Sequence, residues 1–266
     1  MATNPYLLAR TNIDPADDPQ RPNREWWEKL PMTYQAWENE DRSTTLDRVI
    51  ATFLDGNPWL SRSRFGAFVG KRVLEIGCGA GPATCLFAQG GAEVRAIDLT
   101  EASVALTQKH AAGLGATVVR MDAEKLLFPE ASFDHVFSWG VLHHSAHPER
   151  AFAEVARVLK PGGTALIMVY NRSSLRYWVK GLIWLLLRGR MLRGDSMESV
   201  QRFFTDGYYH RHYTPREFAS ALAPLRVTRM GVTHMGKKML PAFPVVLDEA
   251  LKRRFGWLLV AEIAKD

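Results

Sequence analysis

From position 71 onward, short runs of aliphatic and β-branched residues alternate with longer stretches in which apolar positions recur at helical spacing. Lys71 to Ile76, Ala92 to Ile97, Ala116 to Met121, Phe133 to Ser138 and Thr164 to Tyr170 read as strands. Pro82 to Gln89, Glu101 to Leu114 and Pro148 to Leu159 read as helices between them, the second ended by glycine. Pro215 to Leu222 resumes as a helix, and Val227 to Thr233 and Trp257 to Ala264 look like closing strands. The alternation predicts an α/β fold: a doubly wound, Rossmann-like, seven-stranded and mostly parallel sheet. Right-handed crossovers then put helices on both faces and a ligand crevice at the carboxyl ends of the strands.

Two stretches break the pattern and set the expected organisation. Residues 1–70 look mostly helical, with Trp26, Trp27, Tyr34 and Trp37 among polar residues, and 171–212 interrupt the alternation after the fifth strand. The chain is therefore divided into an amino-terminal helical part (1–70), a ligand-binding core (71–170), an inserted cap (171–212) and a carboxyl-terminal completion of the sheet (213–266). Hydrophobic residues at 47% and charged residues at 23% of the 266 positions exclude a disordered or fibrous chain. The longest unbroken apolar run, Leu182 to Leu187, is far short of the roughly 20 residues a spanning helix needs. No export signal is visible in Met1 to Arg10, and two cysteines, Cys78 and Cys85, are too few for a disulfide framework, so a reducing cytoplasm is expected.

The net charge of +6 is unevenly spread: Lys and Arg number 17 against 8 Asp and Glu in residues 171–266, and fall slightly below the acids elsewhere. With no zinc-finger spacing, no aromatic RNA-binding signature and no basic tail, nucleic acid is not the expected partner.

The segment Val73-Leu-Glu-Ile-Gly-Cys-Gly-Ala-Gly-Pro82 puts Gly77, Gly79 and Gly81 between a strand and a helix, where missing side chains allow a sharp turn and a close ligand approach. A dinucleotide site would have glycine or alanine in place of Pro82 and usually lacks an acid at the position of Glu75, so another adenosine ligand is favoured. Asp98 ends the second strand, where a carboxylate can accept from two ribose hydroxyls, and Asp122 ends the third, beside the expected purine. Either aspartate alone would also serve as a helix cap.

Five blocks together resemble the class I S-adenosylmethionine-dependent methyltransferases: V-L-E-I-G-C-G-A-G at 73–81, A-I-D-L-T at 96–100, M-D-A-E at 121–124, F-D-H-V-F-S-W-G-V-L-H-H at 133–144 and R-V-L-K-P-G-G at 157–163. The resemblance implies S-adenosylmethionine as cofactor. Gly77 and Gly79 would line its methionyl part, with Cys78 as a small neighbour rather than a reactive thiol. Asp98 and Leu99 would lie at the ribose, Asp122 and Ala123 at the adenine, and Ser138 near the methionyl ammonium. Glu75 would orient the glycine loop or meet the ammonium through water. Pro31 to Trp37 resembles a leader segment that folds over the cofactor as a lid in small-molecule relatives, with Tyr34 touching cofactor or acceptor.

Methyl transfer from a sulfonium needs a base only when the acceptor has a proton to lose. Trp139, His143 and His144 follow the fourth strand at the crevice edge; either histidine is a candidate base, or both fix the loop through backbone carbonyls. His143, His144 and His147 lack completing ligands nearby, so no metal is expected. His210 and Tyr213, in a polar cluster after the cap, face the acceptor or simply start a helix. The expected activity is methylation of a small, partly hydrophobic acceptor at oxygen, nitrogen or carbon. The alternatives are a cofactor-binding accessory protein without transfer activity and a nucleotide-dependent oxidoreductase. Finally, residues 172–193 carry six basic residues, no acid and an apolar core from Trp178 to Leu187. They are expected either to pack as a cap over the acceptor with Arg172, Arg176 and Lys180 outward, or to lie on an anionic membrane surface as a peripheral contact.

Overall fold

The structure is a computed structural model describing residues 18–29, 42–55, 57, 59–234 and 244–266. Its strands are β1 (Arg72–Ile76), β2 (Glu93–Asp98), β3 (Thr117–Arg120), β4 (Phe133–Trp139), β5 (Leu159–Asn171), β6 (His212–Tyr213), β7 (Arg226–Thr233) and β8 (Leu258–Ala264). They form one sheet in the order β3-β2-β1-β4-β5-β8-β7, with the short β6 paired to β5. The strands from β3 to β5 are parallel, and β8 runs antiparallel between β5 and β7. The mixed α/β, mostly parallel sheet expected from the sequence is therefore present, with β6 as an unanticipated eighth strand.

The helices are α1 (Arg21–Lys29), α2 (Arg42–Leu54), α3 (Arg62–Phe65), α4 (Pro82–Gln89), α5 (Glu101–His110), α6 (Pro148–Val158), α7 (Leu175–Leu182), α8 (Pro215–Ala221) and α9 (Val245–Phe255). Helix α5 starts where the Thr100 hydroxyl accepts from the Ser103 amide. It ends four residues before Leu114, because the chain turns through Gly113 and Gly115, both at positive φ. Lys160 to Gly163 bulge out of the start of β5, which pairs Phe133 with Leu159 and then His135 with Thr164.

Strand residues alternate between two cores, as period-two geometry demands. Ala165, Ile167 and Val169 join Phe133, Val136, Phe152 and Val155 on one face. Leu166, Met168 and Tyr170 join Phe65, Phe87 and Phe137 on the other, where the Phe65 and Phe87 ring centroids are 4.7 Å apart. The strand order reverses between β1 and β4, which opens the crevice at their carboxyl ends.

One expectation is corrected here. The basic row Arg172, Arg176 and Lys180, which runs into helix α7, is turned outward only at Lys180. Arg172 pairs with Glu217, Arg176 lies over the Trp257 ring, and Lys180, itself exposed, leans over Phe204. Trp178, Val179, Leu182, Ile183, Leu186 and Leu187 are exposed as well. The helix phase is set by Gly181, whose absent Cβ would lie 2.2 Å from Met197 Sδ, so only the Tyr177 and Gly181 side packs down.

Candidate functional site

The chain leaves β1 into a turn that its own neighbours pin from three sides. The Gly77 and Cys78 amides donate to the Ile97 carbonyl at 2.8 and 3.0 Å. The Gly79 amide donates to Asp98 Oδ2 at 3.1 Å, and the Thr107 hydroxyl donates to the Gly79 carbonyl at 2.9 Å. Gly77 sits at φ +80°, and a Cβ there would lie 2.1 Å from a Val141 methyl. Backbone conformation and crowding both require glycine at that point. The turn floors a cleft of about 480 Å³.

Glu75, Gly77, Cys78, Gly79, Asp98, Leu99, Asp122 and Ala123 all line this cleft, and so do Trp139 and His144. Its floor is electrostatically unusual. Glu75 is buried and accepts from the Thr84 hydroxyl; burial, with the nearby Asp98 charge adding, pushes its carboxyl up to about 8. Burial raises Asp98 as well, against hydrogen bonds from Thr100 and Gly79 that favour its charge. Among the described residues, no Lys or Arg forms an ion pair with either carboxylate. Two neighbouring acids, Glu75 buried and Asp98 half-buried, without a cation suit a ligand that brings positive charge, and the Asp98 oxygens, which accept from Gly79, the Thr100 amide and the Thr100 hydroxyl, retain acceptor capacity for ribose hydroxyls. Asp122 Oδ1 accepts from the Glu124 amide at 2.9 Å and from Gln20 Nε2 at 3.2 Å. The donor set therefore fits an adenosyl sulfonium carrying an ammonium group.

Other expected residues lie elsewhere. Ser138 is not among the lining residues: strand alternation turns Phe137 and Trp139 to the cleft, and the Ser138 hydroxyl donates to the Ile76 carbonyl at 3.2 Å inside the sheet. His143 is fully buried behind His144, its ring 4.1 Å from those of His144 and Tyr170. Burial, with neighbouring His144, His212 and His210, holds it well below the ordinary histidine range, so it stays neutral. Tyr213 is a core residue of β6 packed on Phe152 and Phe218. His210, near His212, does not line the cleft. Tyr34 and the Pro31 to Trp37 segment fall outside the described residues. Within 172–193 only Arg176 reaches the cleft wall, so the apolar residues of that segment do not line it.

Residues that sequence reasoning did not place in the cleft complete the walls. Gln20, Asn23 and Trp27 come from α1 and the turn before it, and the Trp27 ring meets His144 edge-on at 5.2 Å. Tyr170, Arg176, Asp206, His234 and Trp257 line the cleft too, with Tyr170 and Arg176 both packed on the Trp257 ring. A cluster of tryptophans in an otherwise polar helix was the one usable signal for Trp27; the rest are brought together only by the sheet.

The family profile described as a methyltransferase domain matches residues 74–167. A ubiquinone biosynthesis O-methyltransferase from Maricaulis maris is 32% identical over 197 residues, spanning 69% of this chain and 75% of that protein. A protein of the same name from Hahella chejuensis is 38% identical over 110 residues, which is 40% of this chain and only 46% of the relative. Among solved structures, an S-adenosylmethionine-dependent methyltransferase from Mesorhizobium loti superposes with a TM-score of 0.58 at 23% identity, covering 80% of this chain and 100% of that one. A methyltransferase from Haloferax volcanii, solved with a methyltransferase activator, gives a TM-score of 0.60 at 18% identity over 92% of this chain and 98% of that one. These two likenesses concern the fold alone.

Glu75 makes the free protein's stability depend on pH. Its carboxyl ionises near 4.5 when unfolded but only near about 8 when folded, so its favourable contribution is complete below 4.5 and lost as pH rises towards 8. Melting curves from pH 5 to 9 are expected to show Glu75→Gln gaining on the wild type up to about pH 8 and holding its lead beyond. Parallel curves would contradict the assignment.

Proposed function

Because this chain belongs to the class I S-adenosylmethionine-dependent methyltransferases, we propose that it methylates a hydroxyl on a small, partly hydrophobic aromatic acceptor. The observation that carries the reading is a cleft that brings together two chemically different groups of residues: Glu75, Asp98 and the glycine turn, and His144 with the rings of Trp27, Trp139, Tyr170 and Trp257. When bound, S-adenosylmethionine supplies a methyl group on a positively charged sulfur, open to in-line displacement. Glu75 and Asp98 face that charge and the ribose, Gly77 and Gly79 let the backbone approach, and Asp122 with Ala123 holds the adenine. Gln20 spans Asp122 and Glu124, reaching Glu124 Oε1 at 2.7 Å, and so ties the entrance of α1 to the adenine end.

His144 is the base in this reading. Its Nδ1 lies 2.8 Å from the Tyr209 carbonyl, which can only accept, so Nδ1 carries the hydrogen and Nε2 the lone pair. Nε2 takes the proton from the acceptor hydroxyl as its oxygen attacks. Trp27 packs on the imidazole edge and Tyr170 on its other side, fixing the ring and excluding water. The relatives named for ubiquinone biosynthesis support oxygen as the methylated atom and a ring-bearing acceptor.

The exposed apolar surface of the turns that follow α7 extends the proposal to where the acceptor comes from. Leu187 and Leu192 are 81% and 88% exposed, an unusual state for leucine. Exposed Arg188 and Arg193 flank them and make no ion pair among the described residues. Apolar residues edged by cations match an anionic lipid surface. No helix among the described residues is long and apolar enough to cross a membrane, so contact would be peripheral.

Two outcomes check this reading. With S-adenosylmethionine and a catechol acceptor, the protein is expected to form S-adenosylhomocysteine and O-methylated product in equal amounts, and His144→Asn to lower kcat by about 100-fold with cofactor affinity retained. An unchanged kcat would remove His144 as the base. In sedimentation with phosphatidylglycerol vesicles, binding is expected at low salt, falling with salt and in an Arg188→Glu, Arg193→Glu variant. Equal sedimentation with neutral vesicles, or none with either, would remove the membrane contact.

A further inference from the structure

Arg176 occupies a position that the methyl-donor end of the cleft does not explain. It projects from α7 into the cleft wall, beside Trp257. Its guanidinium carbon sits 4.9 Å over the Trp257 ring, and one terminal nitrogen donates to the Phe204 carbonyl at 2.9 Å. The group is therefore held on one face and at one corner. Its Nε is buried with no hydrogen-bond acceptor, and the side chain makes no ion pair among the described residues. Asp206 lines the same cleft but does not salt-bridge to it.

A second unpartnered nitrogen lies nearby. His234, at the end of β7, also lines the cleft, and its Nδ1 is buried without a hydrogen-bond partner among the described residues. A fixed guanidinium with an unused donor is costly in a dry wall unless something anionic completes it. The walls around it are aromatic: Trp27, Trp139, Tyr170 and Trp257.

We propose that Arg176, with His234 beside it, determines acceptor specificity by binding a carboxylate carried on the aromatic acceptor. The inference rests on the methyltransferase reading and narrows its substrate class to aromatic acids. The planar fork of arginine matches a carboxylate edge-on, whereas a lysine would offer only a point charge. Trp257 stiffens the guanidinium, so little freedom is lost when the anion arrives. A neutral acceptor of the same ring would leave the buried Nε unsatisfied, and sites built this way discriminate strongly against the analogue that lacks the partner group.

The test compares 3,4-dihydroxybenzoate with catechol, which share a ring and differ in the carboxylate. For the wild type, kcat/KM is expected to favour the benzoate by about 30-fold, the size of one lost charge-assisted hydrogen bond. Arg176→Gln is expected to shrink that ratio below about threefold and Arg176→Lys to leave it between, with melting temperatures checked for both. Should one variant fail to fold, the other carries the comparison. A wild-type ratio near one, or a ratio unchanged in the folded variants, overturns the proposal. Calorimetric affinities of both compounds for the protein saturated with S-adenosylhomocysteine give the same ratio without turnover. A preference in binding but no methylation would keep the carboxylate site and defeat the acceptor reading, and no preference in binding would defeat the site.

Discussion

The glycine turn after β1 is held to the second strand by the hydrogen bond from the Gly79 amide to Asp98, and the geometry of the cleft depends on that contact. It draws two carboxyl groups, buried Glu75 and half-buried Asp98, under one loop at the cleft floor. Moving a carboxyl from 4.5 to about 8 disfavours its ionised form by about 5 kcal/mol. A ligand cation about 4 Å away contributes about 4 kcal/mol at an effective dielectric near 20. The two magnitudes nearly balance, so a positively charged ligand is what brings the floor of this cleft to its ionised state.

Elsewhere the cleft reverses the electrostatics. Arg176 lines the same cleft as Glu75, with the rings of Trp27, Trp139, Tyr170 and Trp257 on its walls. An acceptor bearing negative charge and a flat ring would meet its complement there, while the cationic donor would meet its own at the turn. Opposed charge along one crevice orients both partners before any reaction and keeps each from the other's end.

Much of this was legible in the chain because the donor end is built from local sequence. A strand, a glycine turn and a helix are consecutive, and each strand end carries its acid within a few residues, so Glu75, Gly77, Gly79, Asp98 and Asp122 could be read directly and all line the cleft. The acceptor end is assembled from α1, β5, α7, the loop at Asp206, β7 and β8, positions more than 200 residues apart that only the sheet brings together. Period-two alternation explains Ser138, one residue out of phase with the cleft-facing Phe137 and Trp139. The polarity of α7 misled for a related reason: a basic row at helical spacing reads as solvent-facing, yet Arg176 packs on Trp257 while Trp178 and Leu182 stay outside beside Lys180.

The central claim is that the acid pair under the glycine turn receives a cationic adenosyl ligand. Titration calorimetry of S-adenosylmethionine binding between pH 6 and 9, in buffers of different ionisation enthalpy, addresses it directly. The account predicts proton release on binding below about pH 8, with affinity rising as pH approaches that value, and loss of both effects in Glu75→Gln. Affinity independent of pH, with no proton exchanged, would contradict it.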